Sequence, residues 1–114
     1  MGELTDSFNA YRSKMNTRIS ETANTNMKRF LALDTTSYAA GALDVKTKEM
    51  LGLVASMVLR CDDCIKYHLG NCYEAGVNTE EMNEIFMIAN LVGGSIVIPH
   101  YRRAVEYWDE LTQS

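Results

Sequence analysis

Apolar side chains recur at spacings of three and four along most of this chain, the period of a helix with one buried face. Leu4, Phe8, Tyr11, Met15 and Ile19 set the pattern. Leu51, Val54, Ala55, Val58 and Leu59 repeat it, with Met50 and Met57 widening the stripe. Met82, Ile85, Phe86, Ala89 and Val92 follow, and Tyr101, Ala104, Val105, Trp108 and Leu111 close the chain in the same way. No segment reads as a convincing strand. The single proline, Pro99, falls where the first turn of a last helix tolerates it. The expected fold is all-α, five or six helices around a central antiparallel pair.

Punctuation divides these helices. A first helix covers residues 4–21, and the polar stretch 22–26 predicts a break. Residues 27–33 make a short helix, after which Asp34 to Ser37 cap a further turn ending at Gly41. Lys28 and Arg29 read as a solvated helix face. Asp44 is an N-cap for a helix over 45–60, whose broad apolar side predicts burial on more than one face, in a bundle centre or at a subunit interface. The next helix runs from about Cys61 to Ala75 and stops at Gly76, a left-handed C-cap. Gly70 within it costs about 1 kcal/mol relative to Ala and predicts a close crossing with a neighbour. Thr79 opens another helix with Glu80 and Glu81 in its first turn, and Gly93-Gly94 permits a sharp turn. With 114 residues the chain is read as one domain, 1–114, in which 1–42 is a helical covering segment and 43–114 the motif-bearing core.

Composition narrows the function classes. A net charge of −4 argues against duplex nucleic acid or an anionic membrane surface, since both need a basic patch. No apolar run is long enough to span a bilayer, and no signal-peptide pattern is present. Three cysteines, two of them close together, look catalytic rather than like a secreted disulfide framework, so a reducing cytoplasm is the expected home.

The chemistry concentrates in Cys61-x-x-Cys64-x-x-x-His68. Residues three apart on a helix bring their Cα atoms to about 5 Å, inside disulfide range. His68 lies one turn beyond Cys64 on the same face, where an imidazole can exchange a proton with a thiol. A helix N-terminus lowers a thiol pKa, while Asp62 and Asp63 oppose that and read mainly as first-turn acids complementing the dipole. Three readings fit: a redox dithiol, a zinc site, and buried cysteines with a satisfied core histidine. The spacing favours the dithiol. Cys61 and His68 stand about 10 Å apart on a continuous helix, too far to share one zinc unless the helix breaks or a second subunit adds ligands. Cys72 continues the stripe but lies about 12 Å from Cys64 along the axis, and reads as apolar filler. Tyr67 and Tyr73 suit a pocket wall or plain packing. His100, near the start of the last helix, reads as a surface or interface histidine rather than a second proton carrier.

Glu49 stands twelve positions before Cys61. A straight helix leaves them about 18 Å apart, and a hairpin turn near 60–62 folds Glu49 back toward His68 or Cys72 rather than Cys61. Contact through His68 or a water is therefore favoured over direct contact with a thiol.

Glu49, Cys61-x-x-Cys64-x-x-x-His68 and a following amphipathic helix ending in Gly93-Gly94 together resemble the AhpD-like carboxymuconolactone decarboxylase family, over residues 43–111. The resemblance implies its all-helical fold and, for the alkylhydroperoxidase branch, a Cys61–Cys64 pair cycling between dithiol and disulfide with His68 and Glu49 as proton relay. It implies a homo-oligomer, trimeric or hexameric; no bound organic cofactor is implied, and no residue is assigned to a metal. Expected partners are a peroxide or disulfide substrate and a protein thiol or disulfide. The best-known members carry a histidine between the cysteines, where this chain has Asp63. The alternatives are a lactone-decarboxylase-type lyase using His68 and Glu49 with the sulfurs as bystanders, and a noncatalytic oligomeric binding protein.

Overall fold

The computed structural model describes residues 2–113. They form six α-helices with no strand: α1 (Glu3–Thr22), α2 (Thr25–Ser37), α3 (Val45–Val58), α4 (Asp62–Glu74), α5 (Thr79–Gly93) and α6 (Ile98–Thr112), with a 3-10 turn, Ser95–Val97, before α6. The chain is all-α, with a helical hairpin, α3–α4, at its centre. α5 packs on α3, and α6 packs on α4.

The hairpin turn is built by two caps that share a residue. Arg60 N–H reaches the Met57 carbonyl and Cys61 N–H reaches that of Ser56, both at 3.0 Å. This paired closure of a helix C-terminus needs a left-handed residue between, and Arg60 supplies it at φ 60°. Cys61 then serves as the N-cap of α4, its sulfur accepting the Cys64 N–H at 3.4 Å. α3 thus hands directly to α4, and the first cysteine sits at the joint. At the other end of α4 the same closure recurs around Gly76, with Val77 N–H on the Cys72 carbonyl at 3.0 Å. Asn78 and Glu81 exchange reciprocal cap bonds to open α5.

The core lies between these helices. Leu53 and Met57 of α3, Leu69 and Cys72 of α4, and Met82 and Phe86 of α5 are buried. Each buried leucine contributes about 2 kcal/mol by loss of apolar contact with water. Tyr107 and Trp108 of α6 close the far side, and the Trp108 indole N–H donates to the Thr79 hydroxyl at 3.1 Å. α1 is fastened to α6 through Glu110, whose carboxylate accepts the Leu4 N–H at 3.2 Å and the Thr5 N–H at 2.6 Å. Two of the donors that every helix start leaves unpaired are satisfied in this way.

Four expectations are corrected. Asp34 to Ser37 do not cap a separate turn: they are the last turn of α2, since Asn24 caps that helix early and nothing breaks it before Tyr38. The buried side of α3 is Glu49, Leu53, Ser56 and Met57, whereas Leu51, Ala55 and Leu59 face solvent. Both sides of that helix carry apolar residues, so counting them selects the wrong stripe; the Ser56 hydroxyl is tolerated inside because it donates to the Gly52 carbonyl at 2.7 Å. Val92 is exposed for a related reason, α5 turning its Met82, Phe86 and Ala89 edge inward. Gly70 marks no close crossing, for a Cβ there would meet nothing within 4 Å. The close crossing is at Gly52, described below.

Candidate functional site

The two cysteines meet at the start of α4 with their sulfurs 2.7 Å apart, both thiols being free. Cys64 is exposed and Cys61 half-buried behind it. Burial of Cys72 is complete, which pushes its thiol up to about 12, helped by the Glu49 charge. The Cys64 thiol is pushed up to about 11, first by its hydrogen bond to Cys61, then by burial and by negative charge at Cys61, Asp63 and Asp34. Asp63, one of the two acids between the cysteines, therefore makes the Cys64 proton harder to remove. A base must take it.

Such a base lies one turn further along α4. His68 is buried, and its Nδ1 is 2.8 Å from Glu49 Oε1, which is buried too. A carboxylate oxygen only accepts, so Nδ1 carries the proton and Nε2 is left to accept. Asn71 donates from Nδ2 to the same carboxylate oxygen at 3.3 Å. The antiparallel hairpin explains the meeting: Glu49 near the start of α3 comes level with the middle of α4, far from Cys61 along the axis. His68 is further held by two tyrosine rings. Tyr67 packs edge-on at 5.2 Å between centroids, and Tyr38 lies tilted at 5.3 Å. The Tyr38 hydroxyl is 3.4 Å from Nε2.

Gly52 makes this arrangement possible. A Cβ at that position would stand 2.7 Å from both His68 Cε1 and the Tyr38 hydroxyl, closer than carbon atoms approach. Glycine in the middle of α3 is the one residue that leaves room for the imidazole and the phenol together.

Cys64, Tyr67 and His68 open on a cavity of about 620 Å³ between α1 and α4. Leu4, Phe8 and Met15 of α1 give it an apolar wall. Arg12 lies 4.3 Å over the Tyr67 ring, stacking its guanidinium on that face. Asp34 and Asp63 sit at the same rim.

Of the residues singled out in the sequence, Cys61, Cys64, His68 and Glu49 are brought to one region, as two touching pairs. Cys72 lies in the core. His100 joins neither pair: its Nδ1 is 2.8 Å from Oδ1 of Asp62, the residue after Cys61, while Arg103 Nε donates to Asp62 Oδ2 at 3.1 Å. Asp62 thereby ties the first turn of α4 to α6. Among the described residues, no group of three or more His, Cys, Asp and Glu side chains is arranged to hold a metal ion. Sequence reasoning missed Tyr38, Asn71 and Gly52. Only Gly52, a helix-interior glycine in an otherwise strong helix, left a signal.

An all-helical domain whose central hairpin carries a dithiol beside a buried histidine–glutamate pair is the class that this fold and site define. The model of the carboxymuconolactone decarboxylase family matches residues 25–107, and the chain belongs to that family. A crystal structure of a family member from Thermotoga maritima, for which a part in an antioxidative response has been suggested, is 53% identical; the match covers 94% of this chain and 91% of that one, with a TM-score of 0.89. A family protein from Legionella pneumophila, solved in its apo form, has the same fold at 22% identity and a TM-score of 0.87, over 97% of this chain and 99% of that one. An uncharacterized protein of the cox locus of Paracoccus denitrificans is 29% identical over 82 residues, 72% of this chain and 74% of that protein. Among the described residues, no helix is long and apolar enough to cross a membrane.

Proposed function

We propose that this protein is a thiol–disulfide oxidoreductase of the alkylhydroperoxidase type, working in peroxide defence in a reducing cytoplasm as a homo-oligomer. One observation carries the reading: two free thiols with sulfurs 2.7 Å apart stand one helical turn from a buried His68–Glu49 pair. The role suggested for the Thermotoga maritima relative points the same way.

In this reading Cys64, the sulfur that opens on the cavity, meets the peroxide. Its proton passes to the His68 side, and the thiolate attacks the distal peroxide oxygen. The O–O bond breaks, Cys64 becomes a sulfenic acid, and the alkoxide takes a proton to leave as the alcohol. Cys61 then attacks the Cys64 sulfur, water leaves, and the disulfide closes. Two electrons have moved from the thiol pair to the peroxide. A dithiol, on a protein or a small molecule, returns them by exchange. The apolar wall from α1 suits an organic hydroperoxide better than hydrogen peroxide.

The test is to add one equivalent of an organic hydroperoxide to reduced protein, quench by alkylation and map the peptides by mass spectrometry. A rapid Cys61–Cys64 disulfide, reversed by dithiothreitol, is expected. Oxidation no faster than that of a free thiol would overturn the reading. The His68–Glu49 pair is complete without the sulfurs, which leaves a lyase reading open to one direct check: a variant with both Cys61 and Cys64 changed to serine turns over a carboxylactone only if the protein is a lyase.

A further inference from the structure

We propose that the cavity between α1 and α4 takes an amphipathic organic hydroperoxide bearing one carboxylate, and that Arg12 is the residue that binds the carboxylate. The inference rests on the redox reading of Cys64 and names the class of its substrate.

Arg12 is half-buried on α1 and lines the cavity on which Cys64 opens. Its guanidinium lies 4.3 Å over the Tyr67 ring and 5.9 Å from the Phe8 ring. Stacking uses the flat face of a guanidinium. Its N–H groups point out in the plane and stay free to meet a carboxylate in a two-pronged contact. No carboxylate among the described residues makes that contact: the ion pairs among them are Lys46–Glu81, His68–Glu49, and Asp62 with His100 and Arg103. Glu74 lines a second cavity together with Arg12, yet it is not paired with it either.

A second cation converges on the same place. Lys66 Nζ lies 5.8 Å from the Phe8 ring, half-buried and likewise without an acid partner among the described residues, and it lines the same cavity. Two like charges drawn to one ring repel each other. An anion beside them is attracted by both.

The remaining walls define the rest of the ligand. Leu4, Phe8 and Met15 make an apolar strip along α1, which suits hydrocarbon, and about 620 Å³ is an ordinary size for a small organic ligand. Three acids, Glu3, Asp34 and Asp63, line the cavity too. Asp63 directly precedes Cys64, and with Asp34 it helps to push the Cys64 thiol up. The sulfur end is therefore negative, and the Tyr67 end, where Arg12 stacks, is positive. A carboxylate is turned away from the sulfur and held at Arg12, which leaves the peroxide-bearing end of the molecule at Cys64. The two ends are close, since Cys64 and Tyr67 are one helical turn apart, about 5–6 Å between Cβ atoms. Three acids against two cations also limit the head group to a single charge. A carboxylate fits that limit and a doubly charged phosphate does not.

The overall reaction is that of any hydroperoxide here. The two thiols give up two hydrogens and join as the disulfide, and the hydroperoxide becomes a hydroxy acid and one water. The carboxylate takes no part in bond making; Arg12 sets where the O–O bond lies relative to Cys64.

The experiment uses two peroxides that differ only in charge, cumene hydroperoxide and its para-carboxylate. The rate constant for Cys61–Cys64 disulfide formation is measured with each, in reduced wild type, Arg12→Gln and Arg12→Lys. The wild type is expected to favour the carboxylate at least about tenfold, the low end for a hydrogen bond between charged groups. Arg12→Gln should lose that preference by slowing the carboxylate alone. Arg12→Lys, which keeps the charge without the fork, should retain part of it. No preference in the wild type, an undiminished preference in Arg12→Gln, or an equal slowing of both peroxides there would overturn the proposal. Octanoate, which cannot react, separates the inference from its parent. Calorimetry should show it binding the wild type, and binding Arg12→Gln at least about tenfold more weakly, with 1-octanol indifferent to the change. Arg12-dependent octanoate binding with neither peroxide reacting ends the redox reading and keeps the carboxylate site. Rapid oxidation by both peroxides alike, with no octanoate bound, does the opposite.

Discussion

Glu49 Oε1 and His68 Nδ1 lie 2.8 Å apart in a buried contact that joins α3 to α4 nineteen residues apart in sequence. The pair fixes which imidazole nitrogen is left free to accept a proton, and removing either partner should affect chemistry and stability differently. Glu49→Gln keeps the volume and one hydrogen bond but not the charge that stabilises an imidazolium. Disulfide formation at pH 7 should slow between about tenfold and a hundredfold, with little change in melting temperature. His68→Ala strands the Glu49 carboxylate with Asn71 alone and should destabilise by about 3 kcal/mol, read by urea unfolding. Equal stability losses in the two variants would contradict this division.

Cys72 differs from the other two cysteines in burial and in its grip on its proton. In native reduced protein two thiols should react with an alkylating agent, and the third only after denaturant is added. Its thiol is raised from 9.0 to about 12 in the folded chain. A proton held more tightly when folded stabilises the fold fully below pH 9 and loses that contribution as pH rises through about 12. The melting temperature should therefore fall through this alkaline window, and Cys72→Ala should flatten the fall. An unchanged slope in that variant would assign the alkaline loss to other groups.

Gly52→Ala separates helix propensity from site geometry. Alanine is the better helix former by about 1 kcal/mol, yet its Cβ would collide with His68 and the Tyr38 hydroxyl. Overpacking of this kind costs about 1–3 kcal/mol. The expected outcome is a melting temperature that falls modestly and a rate of disulfide formation that drops at least about tenfold, in the range for a displaced reacting group. Full activity would mean that imidazole and phenol can move apart without consequence.

How much was legible in advance follows from where the information resides. The helix start at Asp44 and the stop at Gly76 are local backbone chemistry, and the sequence shows them directly. The meeting of Cys61 with Cys64 follows from one helical turn, and one hairpin brings Glu49 level with His68 or Cys72, so spacing anticipates the first and narrows the second to two candidates. Tyr38 is different. It joins the site through a connection between helices whose path is decided by Lys48 and Gly52, and no periodicity encodes that. The inward face of α3 is not written in its composition, because Leu51 and Leu59 are as apolar as Leu53 and Met57 and only packing against α4 and α5 distinguishes them. Gly70 and Gly52 look alike in sequence; one faces open space and the other faces the imidazole.

Glu110 links the first helix to the last, and acid should release it. Burial works to raise its carboxyl, but the hydrogen bonds from the Thr5 backbone and side chain and from the Leu4 N–H win, holding it below its ordinary value of 4.5. A carboxylate depressed in this way stabilises the fold above that value and loses the contribution as pH falls through its folded-state pKa. Protection of the Leu4 and Thr5 amides, relative to the intrinsic exchange rate at the same pH, should fall on acidification below pH 4.5, or at neutral pH in Glu110→Ala. Because α1 forms the apolar wall of the cavity, the Ala variant should also favour organic hydroperoxides less over hydrogen peroxide. Protection at both amides in the variant would show that α1 is held by something else.

The proposed homo-oligomer is the remaining test, and it turns on surface that a lone chain should not expose. α3 and α5 pack together, yet Leu59 is 76% exposed and Leu91 70% exposed. α2 has no buried residue, although Phe30 and Leu33 lie on it. Large apolar side chains left exposed on several helices suit an interaction surface, and identical patches on identical chains can close it by symmetry. Sedimentation velocity of the wild type should show a species several times the 12.8 kDa of one chain. Leu91→Glu should shift it toward the monomer, since an unpaired charge is costly to bury at an interface. The Cys61–Cys64 bond should still form in that variant, because the sulfurs, His68 and Glu49 all come from the one hairpin. A monomeric wild type would remove the oligomer from the proposal and leave the apolar faces of α2 and α5 to a different partner.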